Sequence, residues 1–277
     1  TYSQHYLPLL QSYQAEFVQR LELLTNIDSG TTQVEGINQI MDYLELWLQE
    51  LSFEVNRYPS PGFGDNLVAR RRGRGTRRIL LMGHVDTVYP SNAVQTQPFT
   101  LRADQAYGPG VLDMKSGVLM GLYAARVLFE TNFDQYGEII LLFNNDEEVG
   151  SPGSAELLRE ISQQVDVALV LEPSGSMNVL TRARKGADKY ILEIAGVSAH
   201  SGVEPYKGRS AVVELAHKIL AIQNLHALFP HVTFNITRLN SSETLNVVPD
   251  AASCHISVRA FHEKALEAAA TALGQII

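Results

Sequence analysis

The sequence predicts an α/β fold followed by a smaller α+β unit. Three short, continuous apolar runs, within residues 78–82, 138–143 and 165–171, have the length of central strands that are covered on both faces. Segments with helical periodicity lie between these runs, and strands that alternate with helices are typical of an α/β sheet. With 277 residues and 45% hydrophobic content, the chain is long enough for one large domain or two ordinary ones.

The other elements of the first part follow from periodicity. Apolar residues at helical spacing predict four helices, and alternating apolar and polar residues predict two more strands. The helices are expected at residues 6–24, after a break at 26–30 up to residue 51, at 114–130 and at 154–162; the strands are expected at 53–58 and 66–71.

An arginine-rich stretch precedes the first apolar run. Its members are Arg70, Arg71, Arg72, Arg74, Arg77 and Arg78. Because two glycines interrupt the stretch and apolar strands flank it, we interpret it as the solvated tip of a hairpin. The formal net charge of −8 argues against nucleic acid or an anionic membrane surface as a partner.

The character of the sequence changes near residue 183. Strand, helix, strand, strand and helix patterns follow in that order, at residues 190–196, 208–221, 232–239, 252–260 and 263–277. This order is typical of a small α+β sandwich that lacks its last strand. We therefore divide the chain into residues 1–184 and residues 185–277.

The single cysteine, Cys254, excludes a disulfide framework and a cysteine-ligated zinc site. It lies in an alternating strand pattern, so we expect a small buried side chain rather than a nucleophile. We find no stretch that is long and apolar enough to span a membrane, and no visible signal peptide. A cytoplasmic location is therefore expected.

Side chains that can bind metal ions follow each apolar run. His84 and Asp86 end the first run, Glu147 and Glu148 follow the second, and Glu172 follows the third. Taken singly, each has a structural explanation, as a capped strand end, an acidic loop or a solvated carboxylate. Together they lie beyond the carboxyl ends of strands, where open α/β sheets bind ligands. Imidazole and carboxylate ligands without thiolate suit Zn, Co or Mn, and Zn is the usual choice for hydrolysis.

The spacing of these residues suggests what each can do. Asp86 lies two residues after His84 on a strand, so both face the same side and the carboxylate can orient the imidazole ring. Glu147 and Glu148 are neighbours on what we expect to be extended chain, so one can bind a metal while the other faces the substrate. Asp113 follows a Gly-Pro-Gly turn and precedes a helix, which by itself is the position of an N-cap residue.

With these residues in view, the sequence resembles the M20 metallopeptidase family, which includes glutamate carboxypeptidase, acetylornithine deacetylase, succinyl-diaminopimelate desuccinylase and the aminoacylases. Five motifs carry the resemblance: Gly83-His-Val-Asp-Thr-Val88, Tyr107-Gly-Pro-Gly-Val-Leu-Asp-Met-Lys-Ser-Gly117, Asn145-Asp-Glu-Glu-Val-Gly-Ser151, Leu171-Glu-Pro173 and Gly196-Val-Ser-Ala-His-Ser-Gly202. The resemblance implies a zinc-peptidase-like mixed sheet flanked by helices, with residues 185–277 as an inserted α+β lid that often forms the dimer interface.

The family pattern implies a di-zinc site. His84 and Glu172 would bind one zinc ion, Asp113 would bridge both ions, and Glu148 would bind the second. The peptide bond between Asp113 and Met114 is typically cis in the family, so we expect a cis bond here.

The resemblance also implies roles in catalysis and substrate binding. Asp86 would orient the histidine ligand, Glu147 would be the general base, and His200 would stabilise the oxyanion. Asn246 and Arg259 match lid positions that hold the substrate's α-carboxylate in the carboxypeptidase branch of the family.

The implied activity is hydrolysis of an amide bond in a small peptide or N-acyl amino acid by a homodimer. A carboxypeptidase is favoured, with an N-acyl amino acid deacylase or desuccinylase as the alternative. The family adds further strands, helices and a last zinc-binding histidine after the lid, whereas this sequence ends within the lid; His255 and His262 do not lie in that motif. The chain is thus either a fragment of an active enzyme or a non-catalytic truncated homologue that serves as a dimerisation or binding module.

Overall fold

The computed structural model of the chain describes residues 2–175, 179–242 and 244–276. It divides into two compact units, Thr1–Gly175 and Ser176–Ile277. This boundary lies before the boundary at 184/185 that we derived from the sequence. Residues 179–185 belong to no helix or strand, and the first regular element of the second unit starts at Gly186.

The first unit contains six helices and seven strands in its described part. The helices are α1 (Tyr2–Ser12), α2 (Gln14–Thr25), α3 (Val34–Glu50), α4 (Ala93–Thr96), α5 (Ser116–Glu130) and α6 (Ala155–Ser162). The strands are β1 (Glu54–Ser60), β2 (Gly64–Arg72), β3 (Arg78–His84), β4 (Thr100–Arg102), β5 (Gln105–Tyr107), β6 (Glu138–Asn144) and β7 (Val167–Val170). The single helix expected at residues 6–24 is divided into two at Tyr13.

Five of these strands form a mixed sheet in the order β1-β2-β6-β3-β7, which confirms the predicted fold class. β3 pairs in parallel with β6 on one side and with β7 on the other. β2 pairs antiparallel with β1 and with β6. The carboxyl ends of β3, β6 and β7 therefore lie at the same edge of the sheet.

The central strand β6 shows why the apolar runs are continuous. All seven of its residues are buried. Ile139, Leu141 and Phe143 pack with residues of α3 and α5 on one face of the sheet. Ile140 and Leu142 pack on the other face with a smaller cluster that includes a residue of α6. Because side chains alternate between the two faces of a strand, helices on both faces require an apolar residue at nearly every position.

The arginine-rich stretch is not the tip of a hairpin, and that interpretation was wrong. β2 and β3 both pair with β6, on opposite sides of it, so they do not pair with each other. Arg70 donates to Glu138 (3.2 Å), and the guanidinium of Arg71 lies 3.7 Å from the centre of the Phe129 ring. The charge run and its glycines do not indicate this pairing. The strand that lies between β2 and β3 is β6, which comes more than fifty residues after β3 in the chain.

The second unit is a three-stranded antiparallel sheet with two helices. Its elements are β8 (Gly186–Ala195), α7 (Ala211–Leu228), β9 (Thr233–Ser241), β10 (Ala251–Ala260) and α8 (Glu263–Ile276), and its strand order is β8-β10-β9. Alternate residues of β10 are buried against both helices, and Cys254 is one of them, as expected. None of the helices in the described part of the chain combines the length and apolar character needed to cross a membrane.

Candidate metal centre

The side chains predicted to bind metal lie at the edge of the sheet where β3, β6 and β7 end. His84 is the last residue of β3, Glu147 and Glu148 follow β6 within a few residues, and Glu172 follows β7. The parallel pairing of these three strands brings their carboxyl ends together. Residues that are far apart in the sequence therefore meet at one edge of the sheet.

His84 is at the centre of this group. Its side chain is 1% exposed, and its Nδ1 atom donates to the main-chain oxygen of Asp86 at 2.9 Å. Its Nε2 atom lies 3.1 Å from Asp113 Oδ1, 3.3 Å from Glu172 Oε1 and 3.8 Å from Glu147 Oε2. With Nδ1 as the donor to Asp86, the Nε2 atom faces three carboxylate groups.

Such a group of acceptor atoms fits a metal ion. Within the described part of the chain, His84, Asp113 and Glu172 are the one set of possible ligands whose atoms all lie within 4.8 Å of one another. Burial alone would lower the pKa of His84, but hydrogen bonds and charges from Asp86 and Glu172 raise that pKa to about 11. The carboxylates thus favour a cation at Nε2, and a metal ion can take the place of the proton. One imidazole and two carboxylates are ligands suited to Zn, Co or Mn.

Asp113 does not act as an N-cap. It lies in the turn Val111–Lys115 that precedes α5, with non-helical backbone angles (φ −115°, ψ 96°), and no side chain caps the start of that helix. The Asp113 side chain is instead 57% exposed and directed at the imidazole of His84. The peptide bond between Asp113 and Met114 is cis, as the resemblance implied.

Asp86 connects the end of β3 with the turn after β6. Its side chain is fully buried, and Oδ1 lies 3.3 Å from His84 Nδ1. The main-chain N–H groups of Glu147 and Glu148 donate to Oδ1 and Oδ2, at 3.1 Å and 3.2 Å. The hydroxyl of Thr31 donates to Oδ2 at 2.8 Å. Asp86 thus contacts the His84 ring through its main-chain oxygen and its carboxylate, and its carboxylate also holds the backbone that carries both glutamates.

Asp146, the first of the three consecutive acids after β6, is set apart from the two glutamates that follow it. Asp146 is buried, and it accepts hydrogen bonds from the main chain and the hydroxyl of Ser154 at the start of α6. Glu147 and Glu148 lie on a 3₁₀ turn rather than on extended chain, so the argument from alternating sides of a strand does not apply here. Their different directions are set by the turn and by its bonds to Asp86.

Both glutamates have perturbed acidity. Burial is the main cause of a raised pKa for Glu147, with nearby carboxylates adding to it and His84 opposing it. The same causes raise the pKa of Glu148 to about 6. A carboxylate whose pKa is moved towards neutrality is suited to accepting and returning a proton.

A cleft of about 810 Å³ opens beside these residues. Asp113 and Glu148 form one part of its wall, and exposed apolar side chains, including Leu112 and Tyr107, form another. The volume is in the range that binds small molecules in proteins. A small substrate can thus approach the carboxylates from this cleft.

The other predicted site residues belong to the second unit, where the structure does not place all of them together. His200 forms an isolated bridge with Val247, and Ser201 N donates to the main-chain oxygen of Asn246, so His200 and Asn246 are close. Arg259 is exposed near the far end of β10, eight residues beyond Ala251. At about 3.3 Å per residue, Arg259 lies roughly 26 Å along β10 from Ala251, the end of the strand that Asn246 precedes.

Two further residues near the site were not predicted from the sequence. Lys115 is 1% exposed, and its Nζ atom donates to the main-chain oxygens of Leu24 and Ile27, both at 3.0 Å. Burial lowers its pKa to about 7, against a smaller opposing effect of Asp28. Thr31 is the other, through its bond to Asp86. Lys115 lies inside one of the five motifs, so its position could have indicated a role near the site. Thr31 lies in a short polar segment without a motif, so the sequence did not indicate its role.

Comparisons with known proteins agree with this geometry. The family described as Peptidase family M20/M25/M40 matches residues 80–275. Carboxypeptidase G2 of Pseudomonas sp. (strain RS-16) is 36% identical over 259 residues, which are 92% of this chain and 62% of that protein. Acetylornithine deacetylase of Proteus mirabilis is 27% identical over 262 residues, covering 88% of this chain and 66% of the relative. The chain thus spans a little over three fifths of the length of these relatives.

A solved structure gives a similar result for the fold. Aminopeptidase PepT from Bacillus cereus superposes with a TM-score of 0.83 at 26% identity, over 95% of this chain and 71% of that one. The similarity extends over both units of the chain.

Proposed function

Because the chain belongs to the Peptidase family M20/M25/M40, we propose that it is part of a metal-dependent hydrolase. The enzyme cleaves the amide bond of a small peptide or an N-acyl amino acid. The observation that carries the proposal is the buried imidazole of His84, whose Nε2 faces the carboxylates of Asp113, Glu172 and Glu147 within 3.8 Å. A buried Nε2 atom among three carboxylates favours a bound cation, either a proton or a metal ion.

We propose that zinc is the metal, with cobalt or manganese as possible replacements. His84 and Glu172 would hold one ion, Asp113 would contribute to both ions, and Glu148 would contribute to the second together with a histidine that the family places after the lid. Bound metal ions would polarise the amide carbonyl and make a nearby water more acidic.

Glu147 moves the protons in this proposal. Its carboxylate accepts a proton from the attacking water and passes it to the nitrogen of the leaving amine, so that water is consumed and an acid and an amine are formed. In the metal-free protein, burial and nearby carboxylates raise the pKa of Glu147, which is the direction expected for a general base. Asp86 supports this step by accepting a hydrogen bond from the Glu147 main-chain N–H (3.1 Å).

Substrate binding is assigned to the second unit. We propose that His200 stabilises the oxyanion, and that Asn246 and Arg259 bind the α-carboxylate of the substrate. Asn246 precedes β10 at Ala251, whereas Arg259 lies near the other end of that strand, roughly 26 Å from Ala251, so we propose that the two sets bind one small substrate from different copies of the chain. A homodimer formed through this unit would supply one set from each copy, which supports a dimeric enzyme.

The test is replacement of Glu147 by glutamine in the full-length protein. Glu147→Gln keeps the size of the side chain and the main-chain bond to Asp86, so it should retain metal and lose at least about 100-fold in kcat. Glu160→Gln, an exposed glutamate on α6, is the matched control and should behave like the natural protein. Turnover by Glu147→Gln at a near-normal rate would refute its role as the base. A protein without bound metal and without turnover would favour the non-catalytic alternative.

Substrate choice can be tested in the same preparation. A free α-carboxylate should be required, so dipeptides and N-acyl amino acids should be hydrolysed and the corresponding α-amides should not. We favour a carboxypeptidase, and a clear preference for N-acetyl or N-succinyl amino acids over dipeptides would instead identify a deacylase. Arg259→Lys should raise KM more than it lowers kcat, because lysine keeps the charge but loses the two-pronged hydrogen bond.

A further inference from the structure

The short segment between α2 and α3, residues 26–33, holds a side chain that contacts the candidate metal centre. We infer that Thr31 in this segment is a positioning residue of the metal centre, which acts by fixing the Asp86 carboxylate. The inference rests on the proposed function, since its effect is on metal binding and turnover. Thr31 contacts no predicted ligand, and nothing in the sequence pattern marks it.

The contact itself is short and shielded from water. Thr31 Oγ1 donates to Asp86 Oδ2 at 2.8 Å, and both side chains are buried. The only other hydrogen bond to Oδ2 within the described residues is the longer one from Glu148 N, at 3.2 Å. The hydrogen bond from Thr31 is therefore the shorter of the two bonds to Oδ2, and it is also shorter than the contacts to Oδ1 from Glu147 N (3.1 Å) and His84 Nδ1 (3.3 Å).

Thr31 differs from the other partners of Asp86 in where it comes from. The His84 ring and the N–H groups of Glu147 and Glu148 all belong to the site that Asp86 holds in place. Thr31 belongs to the segment between two helices packed in the main core. It is thus the contact that ties the carboxylate to the rigid part of the unit.

The segment around Thr31 is itself fixed against the end of β3. Ser29 Oγ donates to Val85 O at 2.9 Å, and Thr87 N donates to Ser29 O at 2.8 Å. Gly30 forms a parallel bridge with Thr87, and a Cβ atom at Gly30 would lie only 2.4 Å from Tyr89 O. The backbone can approach this closely because residue 30 is glycine. The hydroxyl of Thr31 is therefore delivered to Asp86 from a fixed position.

Without the hydroxyl, the buried Asp86 carboxylate would be oriented only by groups of the site itself, the His84 ring and the N–H groups of Glu147 and Glu148. Both the His84 imidazole and the turn with Glu147 and Glu148 are bonded to Asp86. If the Asp86 carboxylate rotates, the positions of the His84 ring and of this turn change relative to each other. Partners that orient metal ligands typically contribute 10-fold to 100-fold to metal affinity or activity. We expect a loss of about this size, in kcat and in metal affinity, with little change in KM.

The experiment compares three variants of the full-length protein with Zn²⁺ as the probe. Thr31→Val has nearly the same shape and no donor, Thr31→Ser keeps the donor, and Thr131→Val removes a hydroxyl bond to Val127 O at the end of α5, away from the site. Zn²⁺ affinity is measured by competition with a chelator, and the absorption bands of the Co²⁺-loaded protein report ligand geometry. Thr31→Val should weaken Zn²⁺ binding about 10-fold to 100-fold, lower kcat by a similar factor and change the Co²⁺ bands. Thr31→Ser and Thr131→Val should match the natural protein.

Two results would overturn the inference. Thr31→Val with natural Zn²⁺ affinity and kcat would show that the bond to Asp86 has no such role, and a Thr31→Ser variant as impaired as Thr31→Val would assign the effect to the methyl group. If Thr31→Val does not fold, Thr31→Ser and Thr31→Ala replace it as the pair, because both lack the methyl group and differ only in the hydroxyl. A natural protein without metal and turnover would instead refute the proposed function, and the inference with it.

Discussion

Gly117 lies where the first turn of α5 approaches the end of β7 closely. The substitution Gly117→Ala is therefore a sensitive test of the metal centre. A Cβ atom at residue 117 would lie 2.1 Å from the carbonyl oxygen of Leu171, the residue before Glu172. Real Cβ atoms essentially never come closer than 3.0 Å to such an atom, so the two segments must separate by about 0.9 Å. Leu171 N donates to Met82 O of β3 at 2.9 Å, which resists a movement of the strand end.

Either way of relieving this contact displaces a metal ligand. If the strand end moves, Glu172 moves with it, and its 3.3 Å distance to His84 Nε2 changes. If α5 moves, Asp113, in the turn that leads into the helix, moves instead. A misplacement of about 1 Å can lower the rate of an enzyme about 100-fold. We therefore expect Gly117→Ala to lose about 100-fold in kcat and to bind metal more weakly.

Gly274 in α8 provides the control. It is also a helical glycine, but a Cβ atom there would meet no atom within 4 Å. Gly274→Ala should raise the free energy of unfolding by about 1 kcal/mol, the difference in helix propensity, without an effect on metal binding. Urea unfolding, chelator competition and steady-state kinetics on the full-length protein measure these quantities. A folded Gly117→Ala variant whose kcat and metal affinity lie within about twofold of the natural values would refute the reasoning.

Three further predictions concern stability. Asp146→Ala should cost about 3 kcal/mol in urea unfolding, since a buried carboxylate that accepts from Ser154 Oγ and N is lost; a cost below about 1 kcal/mol would contradict this. In the metal-free protein, the pKa of Glu148 is raised from 4.5 to about 6, so the folded state keeps a proton in this window that the unfolded state has released. The free energy of unfolding should therefore decrease as pH rises from about 4.5 to 6, and Glu148→Gln should remove that part of the slope. Arg71→Ala should lower the free energy of unfolding by about 2 kcal/mol and leave kcat unchanged, because the guanidinium packs on Phe129 and donates to a main-chain oxygen (2.6 Å) far from the metal centre; a stability equal to that of the natural protein would show that Arg71 is merely solvated.

The parts of the fold that depend on local pattern were predictable from the sequence. The apolar run of β6 is buried at every position, and the elements of the second unit follow in the predicted order. The ligand candidates at His84 and Glu172 were recognisable because parallel strands bring their carboxyl ends together, so a position at a strand end already specifies a place in space. The cis bond after Asp113 was available only through the family resemblance.

The parts that depend on pairing between distant segments were not predictable. β6 lies between β2 and β3 although it follows them in the chain, and the arginine stretch was misread for that reason. Asp146 looks like its two acidic neighbours in the sequence, and only the position of α6 turns it into a buried acceptor. Thr31 is a common polar residue whose partner lies 55 residues away. Such contacts depend on the tertiary packing of distant elements, so the periodicity of the sequence does not predict them.

The bonds of Asp86 have a consequence for how this site can diversify. Its carboxylate holds the turn after β6 through the main-chain N–H groups of Glu147 and Glu148, and makes no use of their side chains. Every amino acid except proline carries that N–H group. Mutation at residue 147 can therefore change the chemistry offered to a substrate while the turn keeps its shape. At this position the backbone maintains the turn and the side chain provides the reactive group. Residue 147 is therefore a position at which evolution or engineering can introduce a different reaction without a change in the fold of the turn.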